Sequence, residues 1–281
     1  MKIAFLFLTI DDVNFPEIWE YYFKNNTNKF NIYCHAKNPQ NVKTLWLKKN
    51  IIKDLTSTKW GHFTNAIINL LRYALINKDN EKFMIVSESC LPIKSFDKFY
   101  SMLKSDDIKT SYINVSKNDN NINIKNSKTE ENYLSNINII KHSGWFCLSR
   151  HHVKKLLSNS NIYKFNKIIA GDENILSLIY PSNNIVNFQI TYDDWDYNKN
   201  KINILNEKIR KLYELKEAKK TNKYDNEIFN IRVQKSILGK HPKTYEIISK
   251  KELDKIKNLD SFFMRKFSKE SDIFKHFKKL I

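Results

Sequence analysis

Near the amino terminus lies an unbroken apolar run, Ile3-Ala4-Phe5-Leu6-Phe7-Leu8, which ends at Thr9. A short run without helical spacing is typical of a strand that is buried on both faces of a parallel sheet. A membrane span would need about 20 apolar residues, and a signal peptide would be followed by a small-residue cleavage site. We therefore predict that this run is the first strand of an α/β sheet.

Strand-like and helical patterns alternate after this run. Apolar runs predict strands at 30–35 and 82–86, and apolar residues at helical spacing predict helices at 16–24, 64–75 and 96–103. This alternation predicts a Rossmann-like, mostly parallel central sheet flanked by helices. Ligands of such sheets bind beyond the carboxyl ends of the strands.

The second half of the chain continues the pattern less regularly. We predict strands at 137–140 and 145–148 and a helix at 172–179. Residues 115–133 are polar and rich in asparagine, which predicts a long surface loop. The tail at 247–281 is basic and has an apolar stripe, so it is predicted to pack on the core as a helix or to touch an anionic membrane surface.

Glycine is rare in this chain, and its positions are candidates for a site. Average usage would give roughly 20 glycines, but the sequence has only 4. Glycine is favoured where the backbone adopts an unusual conformation or approaches another group closely. The four occur in Trp60-Gly61, Ser143-Gly144-Trp145, Gly171-Asp172-Glu173 and Gly239-Lys240-His241-Pro242.

Composition limits the function classes. The 281 residues are 41% hydrophobic, which is sufficient for a folded core, and carry a formal net charge of +18. This charge indicates either a polyanionic partner such as nucleic acid or a solvated lysine surface produced by an AT-rich genome. No dense arginine patch or known nucleic-acid-binding spacing occurs, so we predict no nucleic-acid partner. The cysteines lie far apart, which argues against a cysteine zinc site and for buried thiols in a reducing compartment.

Several motifs occur together in a recognisable order. They are Phe30-Asn31-Ile32-Tyr33-Cys34-His35, Trp60-Gly61, Ser87-Glu88-Ser89-Cys90-Leu91-Pro92-Ile93, Ser143-Gly144-Trp145-Phe146, Asp172-Glu173, Thr191-Tyr192-x-Asp194-Trp195, His241-Pro242-Lys243-Thr244 and Phe263-Met264-Arg265-Lys266-Phe267. Each motif alone is weak, but their order and spacing resemble the Core-2/I-branching enzymes of glycosyltransferase family 14, which include peptide xylosyltransferases and plant relatives. The resemblance covers nearly the whole chain.

The resemblance implies a GT-A-type glycosyltransferase fold, a UDP-sugar donor, a glycan acceptor and inversion at the anomeric carbon. Resembled enzymes transfer N-acetylglucosamine, as β-1,6-N-acetylglucosaminyltransferases do, or xylose or glucuronic acid. We expect one catalytic domain over residues 1–281. Residues 1–110 would bind the nucleotide-sugar, and residues 134–281 would bind the acceptor. Because no membrane anchor precedes the fold, we expect a cytoplasmic protein of bacterial or viral origin.

Glu173 is the candidate catalytic base. An inverting transfer needs a carboxylate that takes the proton from the attacking acceptor hydroxyl, and the resemblance places the family's catalytic glutamate at this position. The alternative is that Asp172 and Glu173 only complement the positive end of a helix.

The leaving diphosphate needs stabilisation of its growing negative charge. Metal-dependent GT-A enzymes use an Asp-x-Asp motif after the third strand, where this chain has Ser87-Glu88-Ser89. The resemblance implies that two basic side chains replace the metal, and the matching positions are Lys243 and Lys266. For any single lysine in so basic a chain, the alternative is a solvated surface residue. We therefore expect no required cofactor, with Mg²⁺ or Mn²⁺ a disfavoured option.

A literal Asp-x-Asp occurs later, at Asp194-Trp195-Asp196, and two such carboxylates could hold Mg²⁺ or Mn²⁺. The resemblance instead makes Trp195 and Tyr197 contacts for an acceptor sugar, whereas Trp195 could also be a core or lid residue. The other predicted contacts divide into two groups. His35 and Lys37 are candidates for the nucleotide, and Glu88, Ser143, Gly144, Trp145 and Asp172 are candidates for the sugars.

Overall fold

The computed structural model describes residues 1–116, 134, 137–238 and 241–281. Most of the loop predicted at 115–133, together with Gly239, lies outside the described residues. The strands are β1 Lys2–Thr9, β2 Phe30–Ala36, β3 Asn80–Ser87, β4 Leu91–Pro92, β5 Ser111–Ile113, β6 Cys147–Ser149, β7 Ile185–Asn187, β8 Thr191–Asp193 and β9 Phe263–Arg265. The α-helices are α1 Pro16–Phe23, α2 Leu45–Lys48, α3 Thr64–Ile76, α4 Phe96–Ser105, α5 Arg150–Leu157, α6 Asp196–Lys219, α7 Asp225–Leu238 and α8 Lys250–Lys257.

A six-stranded central sheet has the strand order β2-β1-β3-β6-β5-β7. Strand β1 pairs in parallel with β2 and β3, and β5 pairs in parallel with β7. Strand β6 is antiparallel to both of its neighbours, β3 and β5. A second sheet of three short strands has the order β4-β9-β8. The predicted α/β architecture is confirmed, with a mixed sheet that is parallel in its first half, consistent with a GT-A-like fold.

Strand β1 lies at the centre of two hydrophobic layers, one on each face of the sheet. Phe5 and Phe7 pack with Trp19 of α1 in one layer, whereas Leu6 packs with Leu71 of α3 in the other. Successive strand side chains point to opposite faces, so a strand covered on both faces must be apolar at every position. The burial of each large side chain contributes about 1.5–3 kcal/mol. The run at residues 3–8 therefore serves two layers at once.

Two sequence predictions in the second half were wrong. Residues 137–140 do not form a strand, and side chains take both backbone hydrogen bonds of Ile140 that a neighbouring strand would make. The Ser177 hydroxyl accepts from the Ile140 amide at 2.9 Å, and the Asn174 amide donates to the Ile140 carbonyl at 2.9 Å. Residues 172–179 form two short 3₁₀ turns, Gly171–Glu173 and Ile175–Leu178, instead of one helix.

Helices α6 and α7 are joined by a short turn and pack on each other. Several of their large apolar side chains remain exposed, among them Ile204 and Phe229. No helix in the part of the chain that the structure describes is both long and apolar enough to cross a membrane.

Candidate functional site

A cavity of about 440 Å³ opens at the carboxyl ends of β1 and β3. This is the edge of the sheet at which α/β proteins bind ligands. A more open depression of about 540 Å³ lies between α4 and residues 259–262 and contains none of the predicted site residues. The wall of the first cavity consists of Leu8, Thr9, Ile10, Lys37, Thr58, Lys59, Trp60, Gly61, Phe63, Ile67, Ser87, Glu88, Gly144, Trp145, Ala170, Asp172, Glu173, Trp195, His241, Pro242, Arg265 and Lys266.

Two glycines determine the backbone conformation of residues 170–173, here called the acidic segment. A Cβ on Gly171 would lie 1.9 Å from the Phe165 carbonyl oxygen, so no other residue fits there without a shift of the backbone. The preceding Ala170 has φ 55°, and its amide donates to the Gly61 carbonyl at 2.7 Å. Gly61 itself has φ +75°, a conformation that favours glycine. Two of the rare glycines thus shape one wall of the cavity.

His142 connects this segment to the wall beside it. The His142 amide donates to the Glu173 carbonyl at 2.8 Å, and His142 Nε2 accepts from the Leu176 amide at 3.1 Å. Burial lowers the pKa of His142 to about 4, so the ring stays neutral and Nε2 can accept. Gly144 consequently lies against Asp172. A Cβ added at Gly144 would be 3.5 Å from Asp172 Oδ2.

The two adjacent carboxyls differ in their environment. Glu173 is 38% exposed in its side chain, and Lys141 Nζ lies 3.6 Å from Glu173 Oε2. Asp172 is only 9% exposed. Burial, reinforced by the charge of Glu173, raises the pKa of Asp172 to about 6. Within the described residues, Asp172 Oδ1 is buried without a hydrogen-bond partner. Glu173 is therefore the more accessible carboxylate, and Asp172 is the one that burial holds partly protonated.

Glu88 supplies a third carboxyl, from the turn that follows β3. Burial raises the pKa of Glu88, and the nearby Arg265 and Lys266 lower it less strongly. Glu88 therefore lines the cavity together with these two cations and is near enough to feel their charge.

Arg265 and Lys266, at the end of β9, form the basic part of the wall. Burial lowers the pKa of Lys266, and the adjacent charge of Arg265 lowers it further. The Arg265 guanidinium lies over the Trp145 ring, 4.4 Å from its centroid. Our sequence interpretation missed Arg265 as a site residue, although it stands beside Lys266 in a motif that we quoted.

Lys243 does not line the cavity, although His241 and Pro242 just before it do. Its ammonium forms a close ion pair with Glu252, the third residue of α8. The same ammonium lies over the rings of Tyr197 and Tyr245, at 4.4 and 4.6 Å. The two predicted phosphate-binding lysines are thus not brought together on the wall.

The remaining predicted residues divide into two groups. Lys37, Gly144, Trp145 and Trp195 line the cavity. His35, Ser143 and Tyr197 do not. His35 is fully buried, and its Nε2 accepts from the Thr56 amide at 2.9 Å. The Ser143 hydroxyl accepts from the Trp145 amide at 3.2 Å, which fixes the local turn.

Trp60 is a second lining residue that the sequence interpretation named only as part of a motif. It is 64% exposed, and its ring is nearly perpendicular to that of His241, with 6.4 Å between the two ring centroids. Trp195 is 36% exposed. Exposed tryptophan faces in a cavity suit the apolar face of a sugar ring, so Trp60 could serve as such a face alongside Trp195.

The Asp194-x-Asp196 motif has other partners. Asp194 Oδ2 accepts from Tyr245 Oη at 2.7 Å and from Lys255 Nζ at 3.0 Å, and Asp194 Oδ1 accepts from the Tyr197 amide. Burial raises the pKa of Asp194, but these hydrogen bonds outweigh it and the pKa is lowered. Asp196 pairs at the surface with Lys199. Both Asp194 oxygens are therefore committed to protein donors, and this donor set does not fit a metal ion.

Metal-binding clusters of three or more acidic, histidine or cysteine side chains are also absent from residues 1–116, 137–238 and 241–281. Cys34, Cys90 and Cys147 are free and buried, as predicted.

Comparison with known proteins supports the resemblance. Glycosyltransferase BC10 from Oryza sativa subsp. japonica is 24% identical over 112 residues, which span 37% of this chain and 28% of that protein. A solved structure titled "Crystal Structure of A197 from STIV" is 12% identical, with a TM-score of 0.33, over 64% of this chain and 78% of the other. The Core-2/I-Branching enzyme family matches residues 3–257, and the chain therefore belongs to that family.

Proposed function

We propose that the protein is an inverting glycosyltransferase that moves a sugar from a UDP-sugar to a hydroxyl of a glycan acceptor. The observation that carries this proposal is the cavity at the strand ends. It gathers an accessible carboxylate, Glu173, and two cations, Arg265 and Lys266, from distant parts of the chain. Family membership and the name of the rice relative support the same class of reaction. The transferred sugar would be N-acetylglucosamine, in a β-1,6-branching reaction, or xylose or glucuronic acid.

The reaction is a single displacement. Glu173 accepts the proton of the acceptor hydroxyl while that oxygen attacks the anomeric carbon of the donor sugar. The bond between the anomeric carbon and the diphosphate oxygen breaks, and its electron pair leaves with UDP. Attack from the opposite face inverts the anomeric carbon. Lys266 stabilises the charge that develops on the diphosphate.

The other lining residues orient the two sugars. Trp195 offers an exposed aromatic face for the acceptor, and Glu88 offers carboxyl oxygens to sugar hydroxyls. Gly144 and Trp145 line the cavity, with Gly144 in contact with Asp172. Lys37 is proposed to contact the nucleotide because it follows β2 at the edge of the cavity. His35 stays a weaker candidate for this role because its ring bonds to Thr56 behind the wall.

Two other functions are distinguishable from this one. A transferase that used a metal ion at Asp194 and Asp196 would lose activity in EDTA, whereas the proposed mechanism needs no metal. A protein that only binds polyanions would bind random DNA in a salt-dependent way without binding UDP.

The test is a transfer and hydrolysis assay with a panel of UDP-sugars, with and without EDTA, on wild type and Glu173→Gln. Loss of a general base costs roughly 10²- to 10⁴-fold in rate. We expect that loss in kcat with unchanged UDP affinity, because the substitution removes a group that acts in the transition state. Full transfer activity of Glu173→Gln would reject the proposed base.

Glu217→Gln is the matched control, because Glu217 is an exposed residue of α6 outside the cavity wall. This variant should keep wild-type kcat and UDP affinity.

A further inference from the structure

Helices α6 and α7 form a hairpin that begins and ends at the cavity. Trp195 immediately precedes α6, and His241 and Pro242 follow α7 closely; all three residues line the cavity. Between these ends the two helices pack on each other. In α7, Ile228 and Ile231 are buried, whereas every side chain that the structure describes in α6 is half-buried or exposed. The hairpin therefore presents a large surface to solvent.

One face of α6 combines lysines with exposed apolar side chains. At 3.6 residues per turn, five positions of this helix fall within about 80° of its circumference. They are Lys201, Ile204, Lys208, Lys211 and Leu215, here called the lysine face. All five side chains are exposed, Ile204 by 58% and Leu215 by 41%. Basic and apolar residues are thus interspersed along one side of the helix.

The acidic residues of α6 lie outside the lysine face. Glu207 and Glu214 both pair with Arg210 on another side of the helix. Lys208 and Lys211, by contrast, form no ion pair within the described part of the chain. The positive charge of the lysine face is therefore available to a partner outside the chain.

The apolar part of the lysine face continues into a groove between the two helices. The groove has a volume of about 410 Å³, and its walls are Lys201, Ile204 and Leu205 of α6 and Gln234 and Leu238 of α7. An exposed apolar area with a polar rim marks a surface that binds a protein or a membrane. A helix that sets lysines beside exposed apolar side chains is typical of helices that lie in a membrane interface.

We propose that the lysine face and its groove bind the surface of an anionic lipid membrane. Charge complementarity separates this occupant from the others. Residues 196–238 contain 11 lysines and arginines but only 6 aspartates and glutamates, and the whole chain carries a net charge of +18. A second copy of the chain would bring the same lysines together, and like charges repel. Nucleic acid would pair with the lysines but leave the apolar side chains in water, whereas the headgroup region of a membrane accepts both.

Membrane binding at this face would also place the cavity. Trp195, which lines the cavity, directly precedes α6, and Lys201 lies only about 9 Å farther along the helix axis. A bilayer that binds the lysine face would therefore hold the cavity close to its surface, within reach of an acceptor that a lipid carries.

The test is co-sedimentation of the full chain with vesicles of phosphatidylcholine, either alone or with about one third phosphatidylglycerol. We expect wild type to bind the anionic vesicles and not the neutral ones, and this binding should weaken as the salt concentration rises. The double variant Lys208→Gln, Lys211→Gln should bind about tenfold or more weakly, because each lysine near such a surface contributes a factor of about five. The double variant Ile204→Ser, Leu215→Ser should also bind more weakly, because it removes the apolar contact.

Lys104→Gln, Lys109→Gln is the matched control, because it removes the same charge from two exposed lysines at the end of α4 and just after it. Its vesicle affinity should stay within about twofold of wild type, since charges away from the contact are screened by salt. An equal loss in this control and in Lys208→Gln, Lys211→Gln would overturn the proposal, because net charge alone would then explain the binding.

Failure of wild type to prefer anionic over neutral vesicles would also overturn the proposal. Sedimentation velocity and binding to double-stranded DNA then identify the other occupants. A dimer that Ile204→Ser, Leu215→Ser disrupts would assign the face to a second copy, and DNA binding that Lys208→Gln, Lys211→Gln removes would assign it to nucleic acid. Thermal unfolding of each variant separates lost binding from lost folding. The vesicle assay contains no sugar donor or acceptor, so its outcome is independent of the proposed function.

Discussion

Two regions of the chain were expected to supply the site. One is the acidic segment, and the other consists of the basic segments, residues 241–243 and 263–266. In the acidic segment, Asp172 and Glu173 both line the cavity. In the basic segments, Lys266 lines it but Lys243 does not, and Arg265 takes a place that was not expected. The acidic wall thus has the residues that were expected, whereas the basic wall has Arg265 and Lys266 where Lys243 and Lys266 were expected.

The two walls differ in whether the contacts that determine their geometry come from neighbouring residues in the sequence or from distant ones. The path of the acidic segment is determined by Gly171 itself, which admits no Cβ, and by the neighbouring Ala170. The direction of Lys243 is determined by Glu252 and by the rings of Tyr197 and Tyr245, which come from other elements. A glycine motif therefore predicts its own geometry, whereas a lysine motif does not reveal its partner.

If the acidic segment is determined locally, a single methyl group at position 171 should disrupt it. The Cβ of Gly171→Ala would lie 1.9 Å from Phe165 O and 2.9 Å from Phe165 C, and these backbone atoms cannot rotate away. We expect the free energy of unfolding to fall by about 3 kcal/mol or more, the largest effect among these predictions. Urea denaturation of the variant and of wild type measures it.

Gly144→Ala is the matched control, because its Cβ would meet Asp172 Oδ2 at an ordinary 3.5 Å. It should cost less than about 1 kcal/mol. Equal stability of the two alanine variants would show that position 171 does not constrain the wall.

Asp172 should make the protein less stable as the pH rises. Burial raises its pKa from 3.8 to about 6, so between these values the folded state holds a proton that the unfolded state has lost. Stability from this group is fully present below pH 3.8 and decreases up to pH 6. At 1.36 kcal/mol per pKa unit, the loss is about 2–3 kcal/mol.

Asp172→Asn removes this titration. Denaturant unfolding at a series of pH values from 3.5 to 7 should show wild type losing stability relative to the variant as the pH rises. A difference between the two proteins that does not change with pH would contradict a buried, partly protonated carboxyl at this position.

The parts of the fold that the sequence predicts are those with simple, local patterns. Strand β1 was expected at 3–9 and lies at Lys2–Thr9, because its alternating residues serve two hydrophobic layers. Residues 137–140 have the composition of a strand, but Asn174 and Ser177 take the backbone hydrogen bonds of Ile140. Side-chain bonds of this kind join positions more than 30 residues apart, and no periodicity reveals them.

The same limit applies to the site. Glu173 was identified through a motif whose glycine sets the local backbone, and the structure brings it to the cavity wall. Arg265 could have been identified from its position beside Lys266 at a strand end. However, choosing Arg265 over Lys243 required knowing that Lys243 pairs with Glu252, and no spacing in the sequence indicates that contact.

The smallest expected effect concerns Glu252, the distant partner of Lys243. The pH dependence of stability that Glu252 causes has the opposite sign to that of Asp172. Burial raises the pKa of Glu252, but the hydrogen bonds from Lys243 and Ser249 outweigh it and lower the pKa below 4.5. A carboxyl with a lowered pKa stabilises the fold above its unfolded value of 4.5, and that stability is lost as the pH falls through the folded pKa. Glu252→Gln should therefore cost about 1 kcal/mol at pH 7 and nearly nothing at pH 3.

Glutamine at position 252 can preserve the capping box of α8, so the variant removes the charge while the helix start remains. The same protein decides whether Lys243 is held by Glu252 alone. If it is, the released ammonium turns to the cavity and UDP affinity rises. We expect unchanged UDP affinity, because the rings of Tyr197 and Tyr245 still face the ammonium at 4.4 and 4.6 Å. A clear gain in UDP affinity would mean that the ion pair with Glu252 alone keeps Lys243 out of the cavity.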